Sequence, residues 1–197
     1  MTDQARADFI RVLESAGTFL EAVERDFSLN KLQHPGKQIN LQNSFQSILT
    51  HLDDAGDTGL SIGYRVRDLR GSLLTIGAAV REKVEKGILF SDRAHEEVIY
   101  LFQATSVILK TAVDYLGTEN PILLRWLENR QRECKNTCDE CATSHEERLV
   151  EGICVPAASM IFLDMLQGFA GIHWQVVNMM WLVTGSWETP RVKHGTR

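Results

Sequence analysis

Apolar residues recur at intervals of three and four along most of this chain, which is the spacing of an amphipathic α-helix. The first stretch shows it at Phe9, Val12, Leu13, Phe19, Leu20 and Val23. No stretch alternates apolar and polar residues convincingly, as a half-buried strand would. The spacing predicts helices over residues 4–26, 39–85, 92–116, 121–152 and 156–184. The sequence therefore predicts an all-α protein, an antiparallel helical bundle with mostly short connections.

Several residues mark the ends of these helices. Ser91 is a side chain that caps the start of a helix, and Pro156 suits a first helical turn. Pro35-Gly36 breaks the chain after the first helix, and the segment from Gly117 to Pro121 ends the third. No shift of composition marks a linker within the 197 residues, so we expect a single domain.

Charge narrows the classes of partner. The net charge of −5 and the pI near 5.7 argue against a general nucleic-acid binder. The chain begins without a basic segment followed by an apolar one, so we expect a cytoplasmic protein.

Residues 165–187 contain no Asp, Glu, Lys or Arg, but four polar side chains interrupt them. We expect a helix buried in a bundle there, with membrane contact only through a partner.

The first candidate site is a pair of carboxylates, Asp53 and Asp57, which lie four residues apart on a predicted helix. That spacing places both on one face, where they can chelate a hard cation together. A degenerate copy of the segment follows 117 residues later, with Ala170 and Trp174 at the equivalent positions. The alternative is that the two aspartates form a solvated helix edge.

A family resemblance supports the first interpretation. The segment HEERLVEGICVPAASMIFLDMLQGFAGIHWQVVNMM resembles the last helical hairpin of PhoU-type proteins, including the PhoU-like cytosolic regions of sodium/phosphate cotransporters. The matching residues there are Phe162, Leu163, Asp164, Leu166, Ile172, Val177 and Asn178. An earlier segment matches at Leu52, Asp53, Gly56, Asp57 and Ile62, and FSDRAHEEV is similar to the start of the family's second repeat. The resemblance covers roughly residues 40–184.

The resemblance implies a fold of two pseudo-repeats of three helices, roughly 1–90 and 91–187, with the first unit shortened and a basic tail at 188–197. It also implies a surface site for a divalent or ferric metal ion at Asp53 and Asp57. Further ligands would come from Asp54, Asp164 or His173, although a bundle without metal is equally consistent. The implied function is non-enzymatic regulation of phosphate uptake through contact with a phosphate transporter or a sensor kinase, which would bring the protein to the inner membrane.

The second candidate site consists of Cys134, Cys138, Cys141 and His145, whose spacings of four, three and four residues place them on one helical stripe. Adjacent pairs could each offer two soft ligands to zinc, completed from another helix or subunit. One ion cannot bind all four, because the stripe covers about 16 Å of a helix axis. Cys-x3-Cys-x2-Cys also resembles the iron–sulfur signature of radical enzymes that use S-adenosylmethionine. The remaining interpretations are thiol redox chemistry and, as the simplest, core packing.

A third interpretation is an assembly module. Trp174, Met180 and Trp181 make the last helix apolar around much of its circumference, and burying that surface between subunits would favour a homodimer. The alternative is that these residues fill the core of a single chain. No catalytic triad motif, phosphate-binding loop or metalloprotease motif occurs in the sequence, so we expect no enzyme activity.

Overall fold

The computed structural model describes residues 3–33 and 56–184, together with residues 41, 43, 45, 46 and 48–50. Five long helices occupy the two main ranges: α1 (Asp3–Leu29), α2 (Gly56–Glu85), α3 (Asp92–Thr118), α4 (Pro121–Val150) and α5 (Pro156–Thr184). The described residues from 41 to 50 are helical as well. Since this part of the chain contains no strand, the predicted all-α class is confirmed.

The helix ends follow the local signals of the sequence. The Ser91 side chain accepts a hydrogen bond from the backbone N–H of Ala94 at 3.4 Å, which caps α3. Asn120 caps α4 in the same way, accepting from the N–H of Ile122 at 2.9 Å. Helix α5 has the predicted bounds, and α1 runs three residues beyond its predicted end. Whether the predicted helix 39–85 is continuous depends on residues 51–55, which lie outside the described part.

Four helices form a ring in the order α1, α3, α5, α2, and α4 covers the groove between α3 and α5. Helices α1 and α3 are antiparallel, because Arg6 donates to the Leu116 carbonyl at 3.0 Å while Phe27 stacks on His95 at the other end. Successive helices α3, α4 and α5 are joined by short connections and alternate in direction, so α3 and α5 run parallel.

The contact between α2 and α5 is the most extensive in the bundle. Two glycines allow it. A Cβ atom on Gly168 would lie 2.5 Å from Ile76 Cγ1, and one on Gly171 would lie 2.5 Å from Ser72 Oγ. The two backbones therefore approach more closely than any larger residue permits.

Aromatic side chains fill the space between α1, α3 and α5. Phe102 meets Phe169 edge to face at a centroid distance of 4.9 Å, and Phe27 packs against Phe102 at 5.9 Å. Each such side chain contributes roughly 1.5–3 kcal/mol when fully buried. None of the described helices has an apolar stretch sufficient to cross a membrane.

The division of the chain into two pseudo-repeats stays a prediction.

Candidate functional site

The stripe formed by Cys134, Cys138, Cys141 and His145, called the cysteine stripe below, faces into the bundle. All four residues are buried, although the opposite face of α4 is strongly charged. Their intervals of three and four residues each span about one helical turn, so all four side chains point to the same side of α4, toward α3 and α5. The stripe is thus the apolar face of an otherwise polar helix, and all four cysteines of the chain are free thiols.

The imidazole of His145 ends the stripe. Its Nε2 atom lies 3.0 Å from Ser159 Oγ on α5, and its ring packs against Phe162 with centroids 4.8 Å apart. Its Nδ1 atom is buried and has no hydrogen-bond partner in the described part of the chain. Burial lowers the pKa of His145, and the positive charge of Arg148 lowers it further. The ring is therefore held neutral near pH 7.

A buried ion pair follows directly after the stripe. Arg148 of α4 binds Glu97 of α3 through two bonds, Nη1 to Oε1 at 3.1 Å and Nη2 to Oε2 at 2.9 Å. The two side chains are only 10% and 9% exposed. Arg93 donates a third bond to the same carboxylate at 2.9 Å. Burial works against the charge of Arg148, but its bonds to Glu97 and Cys154 raise its pKa. Arg148 keeps its charge, and the pair joins α3 to α4.

Two cysteines of the stripe, Cys138 and Cys141, have environments that suppress thiolate formation. The pKa of Cys138 is raised by its hydrogen bond with Cys134 and by burial. Burial and the negative charge of Glu97 raise the pKa of Cys141 from 9.0 to about 11. Two pKa units make its thiolate about 100-fold scarcer near neutral pH. Because the thiolate is the nucleophile in thiol chemistry, the raised pKa values of Cys138 and Cys141 favour packing over redox chemistry at these two positions.

The arrangement of the described His, Cys, Asp and Glu side chains limits where a metal ion could bind. Among the residues that the structure describes, no three His, Cys, Asp or Glu side chains come together as a possible metal site. The zinc and iron–sulfur alternatives for the cysteine stripe would therefore need ligands from elsewhere, such as a second subunit. Those alternatives stay predictions.

A cavity of about 210 Å³ opens beside His145 at the end of the bundle where the α2–α3 and α4–α5 connections meet. Its inner wall contains Phe162 and Cys154, whose Sγ lies 3.9 Å from Ser91 Oγ. Its rim consists of three apolar side chains, each more than half exposed, Leu89, Ile153 and Val155. We call this rim the apolar end. Exposed apolar clusters on folded proteins commonly mark contact sites.

The carboxylate pair Asp53 and Asp57 lies largely outside the described residues. Asp53 and Asp54 lie outside the described residues, and so does the side chain of Asp57, whose backbone is part of α2. Asp164 is half-buried in α5. His173 follows nine residues later, about 14 Å along the helix axis, so these two candidate ligands do not share a site with one another.

The predicted interface residues divide into three environments. Trp174 is nearly half exposed on α5. Trp181 is half-buried, and its indole Nε1 donates to Glu128 at 2.8 Å. Met180 is fully buried within the single chain and offers no surface to a second copy. Of the three, Trp174 has the surface that a dimer would use.

Sequence reasoning missed the Arg148–Glu97 pair. One signal was present: Arg148 continues the spacing of the cysteine stripe, three residues after His145, and so occupies a position that faces the core. A charged residue at such a position requires a partner of opposite charge. Nothing in the order of residues identified Glu97, 51 positions earlier, as that partner.

Comparison with family models, with characterised proteins and with solved structures gives no match for this chain. The PhoU-like resemblance accordingly depends on the residues quoted above.

Proposed function

We propose that this protein is a non-enzymatic, PhoU-like regulator of phosphate uptake, which works by binding a phosphate transporter or its sensor kinase. The all-α bundle is consistent with the fold that this resemblance implies. The residues of the resemblance in α5 include the buried positions Leu166, Ile172 and Val177, which serve packing. Activity through protein contacts requires an exposed surface suited to a partner.

The apolar end is the observation that supports such contacts. Leu89 belongs to one connection and Ile153 and Val155 to another, and the fold brings them to the rim of one cavity. Each keeps more than half of its surface exposed in the isolated chain. Covering these side chains with a partner would bury apolar surface at no cost in backbone order, because both connections are already held between helices.

The ionisable groups of the candidate site support a function without catalysis. Ser159 and His145 have the separation of a nucleophile and its base, but no carboxylate among the described residues orients the Nδ1 atom of His145. The lowered pKa of His145 makes it a weak base, and the raised pKa of Cys141 makes it a poor nucleophile. These groups are stabilised in their neutral forms.

A metal ion at Asp53 and Asp57 is the regulatory part of the proposal. Two carboxylates on one helical turn leave most of a cation's ligands to water, so binding there is weak and responsive to concentration. The metal, or phosphate bridged by it, would change which partner surface is available. Unchanged partner binding by the variant with Asp53→Ala and Asp57→Ala would contradict this part and leave the contact function standing.

The contact function is tested with two matched substitutions. Ile153 is 60% exposed near the last turn of α4, and Ile122 is 62% exposed in its first turn, at the opposite end of the bundle. We expect Ile153→Glu to abolish co-purification of the transporter or the kinase with the protein and to release phosphate uptake from control. Ile122→Glu should leave both unchanged.

Phosphate uptake is measured with radiolabelled phosphate in cells that carry each variant in place of the wild type. Equal control of uptake by both variants would contradict a contact through the apolar end. Uptake that does not change even when the whole chain is removed would contradict the regulatory function itself.

A further inference from the structure

A groove runs along the outer seam between α3 and α4, and it is distinct from the apolar end. Two cavities form it, one of about 230 Å³ and one of about 400 Å³, and the side chain of Tyr100 lines both. Val107 and Trp126 border the smaller cavity, with the buried His173 of α5 on its inner side. The larger cavity continues from Tyr100 toward the start of α3. The two cavities are therefore halves of one continuous groove.

The residues along the groove repeat at helical intervals on both of its sides. On α3 the intervals are three and four residues, at Arg93, Glu96, Tyr100, Ala104 and Val107. On α4 they are the same, at Trp126, Arg130, Glu133, Thr137, Glu140 and Ser144. Such intervals keep to one face of a helix, so each helix presents a continuous stripe to the groove. Two adjacent stripes of this kind form the seat that a further helix occupies in a bundle.

The length of the groove matches a short helix. From Arg93 to Val107 its α3 border covers about 21 Å of helix axis, which corresponds to about 14 residues or four turns. A helix of this length is marginal in water by itself. The groove therefore suits a helical segment that belongs to a larger protein.

One half of the groove suits apolar side chains. Val107 and Tyr100 are 49% and 53% exposed, and the ring of Trp126 lies beside them. The charges at the rim of this half compensate each other, because Arg130 donates to Glu133 at 2.6 Å. Covering these side chains would remove apolar surface from water, and aromatic residues commonly supply much of the energy of a protein contact.

The other half of the groove is acidic. Three carboxylates line it, those of Glu96, Glu97 and Glu140. Arg93 and Arg148 both bind the carboxylate of Glu97. Glu96 and Glu140 are exposed and form no ion pair within the described part of the chain. The excess negative charge of the groove therefore lies in this half, on Glu96 and Glu140.

We propose that this groove binds an amphipathic helix of a partner protein, which places apolar side chains against Tyr100, Val107 and Trp126 and basic side chains at the acidic half. Charge complementarity selects this occupant, because a basic residue compensates the carboxylates of Glu96 and Glu140 when the helix covers them. A second copy of this chain fits less well, since a two-fold contact would bring the same carboxylates against each other or against the apolar half. The contact does not depend on the regulation of phosphate uptake.

Two synthetic peptides of about 15 residues, held helical by a hydrocarbon staple, are the probes. Both carry leucines on one half of the groove-facing stripe. The other half carries arginines in the first peptide and citrulline, the uncharged analogue of arginine, in the second. Binding is measured by fluorescence anisotropy of the labelled peptides near physiological salt, where charges more than about 8 Å away are screened. We expect the arginine peptide to bind about tenfold more tightly, the worth of two exposed ion pairs.

Substitution of the two carboxylates tests the charged half. The variant with Glu96→Gln and Glu140→Gln should bind the arginine peptide about tenfold more weakly and the citrulline peptide as before. The matched control carries Glu14→Gln and Glu85→Gln, which remove two exposed carboxylates from α1 and α2 and should leave both affinities unchanged. Equal affinity of the wild type for the two peptides would overturn the proposal.

Substitution of one exposed apolar residue tests the other half. Val107→Glu should abolish binding of both peptides. Tyr64→Glu is the control, because Tyr64 is 63% exposed on α2, which contacts neither α3 nor α4 in the described part of the chain. Both side chains are at least about half exposed, so both variants should fold. Binding that survives Val107→Glu would overturn the proposal, and so would a wild-type dimer that Val107→Glu dissociates in sedimentation, since a second copy would then occupy the groove.

Discussion

Helix α5 contacts α2 and α4 in different ways. Toward α2 it presents Gly168 and Gly171, and the two backbones meet with no space for a further carbon atom. Toward α4 it presents Ser159 and Phe162, which meet His145 of the cysteine stripe through a hydrogen bond and a ring contact. The first contact depends on steric fit at the two glycines, and beyond them Gln175 donates to Asp68 at 3.3 Å and accepts from Arg65 at 3.4 Å. The second contact is built around a buried imidazole.

This difference affects the space between the helices. Around Gly168 and Gly171, small residues let α2 and α5 pack so closely that a larger side chain has no space. Polar side chains around α4 must keep the geometry of their hydrogen bonds, and clefts lie beside them at His145, at His173 and at Glu97. The α4 side of the bundle therefore has room for ligands.

The largest effect is expected from the ion pair on the α4 side. Glu97→Ala leaves Arg148 buried without its carboxylate, so the free energy of unfolding should fall by about 3–5 kcal/mol. Urea denaturation measures it. The control is Asp139→Ala, which breaks an exposed ion pair with Lys135. The side chains of Asp139 and Lys135 are 64% and 61% exposed, so the loss of this pair should lower the free energy of unfolding by less than about 1 kcal/mol.

Replacing both partners sharpens this result. The double variant Glu97→Leu with Arg148→Met removes both charges, so much of the stability lost in Glu97→Ala should return. A double variant as unstable as Glu97→Ala would mean that packing around these side chains, and not the uncompensated charge, causes the loss.

The next effect depends on pH. The pKa of His173 is about 4 in the folded protein and 6.5 in the unfolded chain, so the unfolded state binds more protons between these values. Its contribution to stability is complete above about pH 6.5 and falls by about 3 kcal/mol as the pH drops to about 4. Urea titrations between these pH values should show that loss, and it should be absent in His173→Phe. An equal slope in both proteins would contradict the neutral buried ring.

On the α2 side, Gly168→Ala should destabilise by about 1–3 kcal/mol, because the added Cβ meets Ile76 at 2.5 Å and the Ser72 carbonyl at 3.2 Å. Gly71→Ala is the matched control. It lies on α2 with no atom within 4 Å of the added carbon, and there the helix gains up to about 1 kcal/mol. Thermal unfolding measures the stability of both variants. A Gly168→Ala variant as stable as the wild type would disprove the close contact between α2 and α5.

The smallest effect concerns the thiols. Cys138→Ala removes one buried sulfur atom and should cost about 1 kcal/mol in urea denaturation. In the intact protein we expect iodoacetamide to label Cys138 and Cys141 far more slowly than in the denatured chain, because both pKa values are raised. Rapid labelling under native conditions would favour the thiol redox interpretation instead.

Local patterns in the sequence were sufficient for the fold class and for most helix ends to within two or three residues. The cap at Ser91 and the proline at Pro156 act within one turn of chain, so they can be read without knowing the fold. The burial of Met180 could not be separated from an interface in the same way, because an apolar side chain is compatible with both. The partners of His173 and Arg148 lie 68 and 51 residues away, beyond the range of any local signal.

The sequence by itself determined that this protein is built from long amphipathic helices and that one polar helix carries its cysteines on a single stripe, since periodicity fixes which side chains share a face. Only the tertiary structure decided which faces meet. It placed Gly168 against Ser72, Glu97 against Arg148, and Thr105 against His173. The reason is physical: steric fit and charge compensation are properties of pairs of distant residues, and they exist only once the helices have packed.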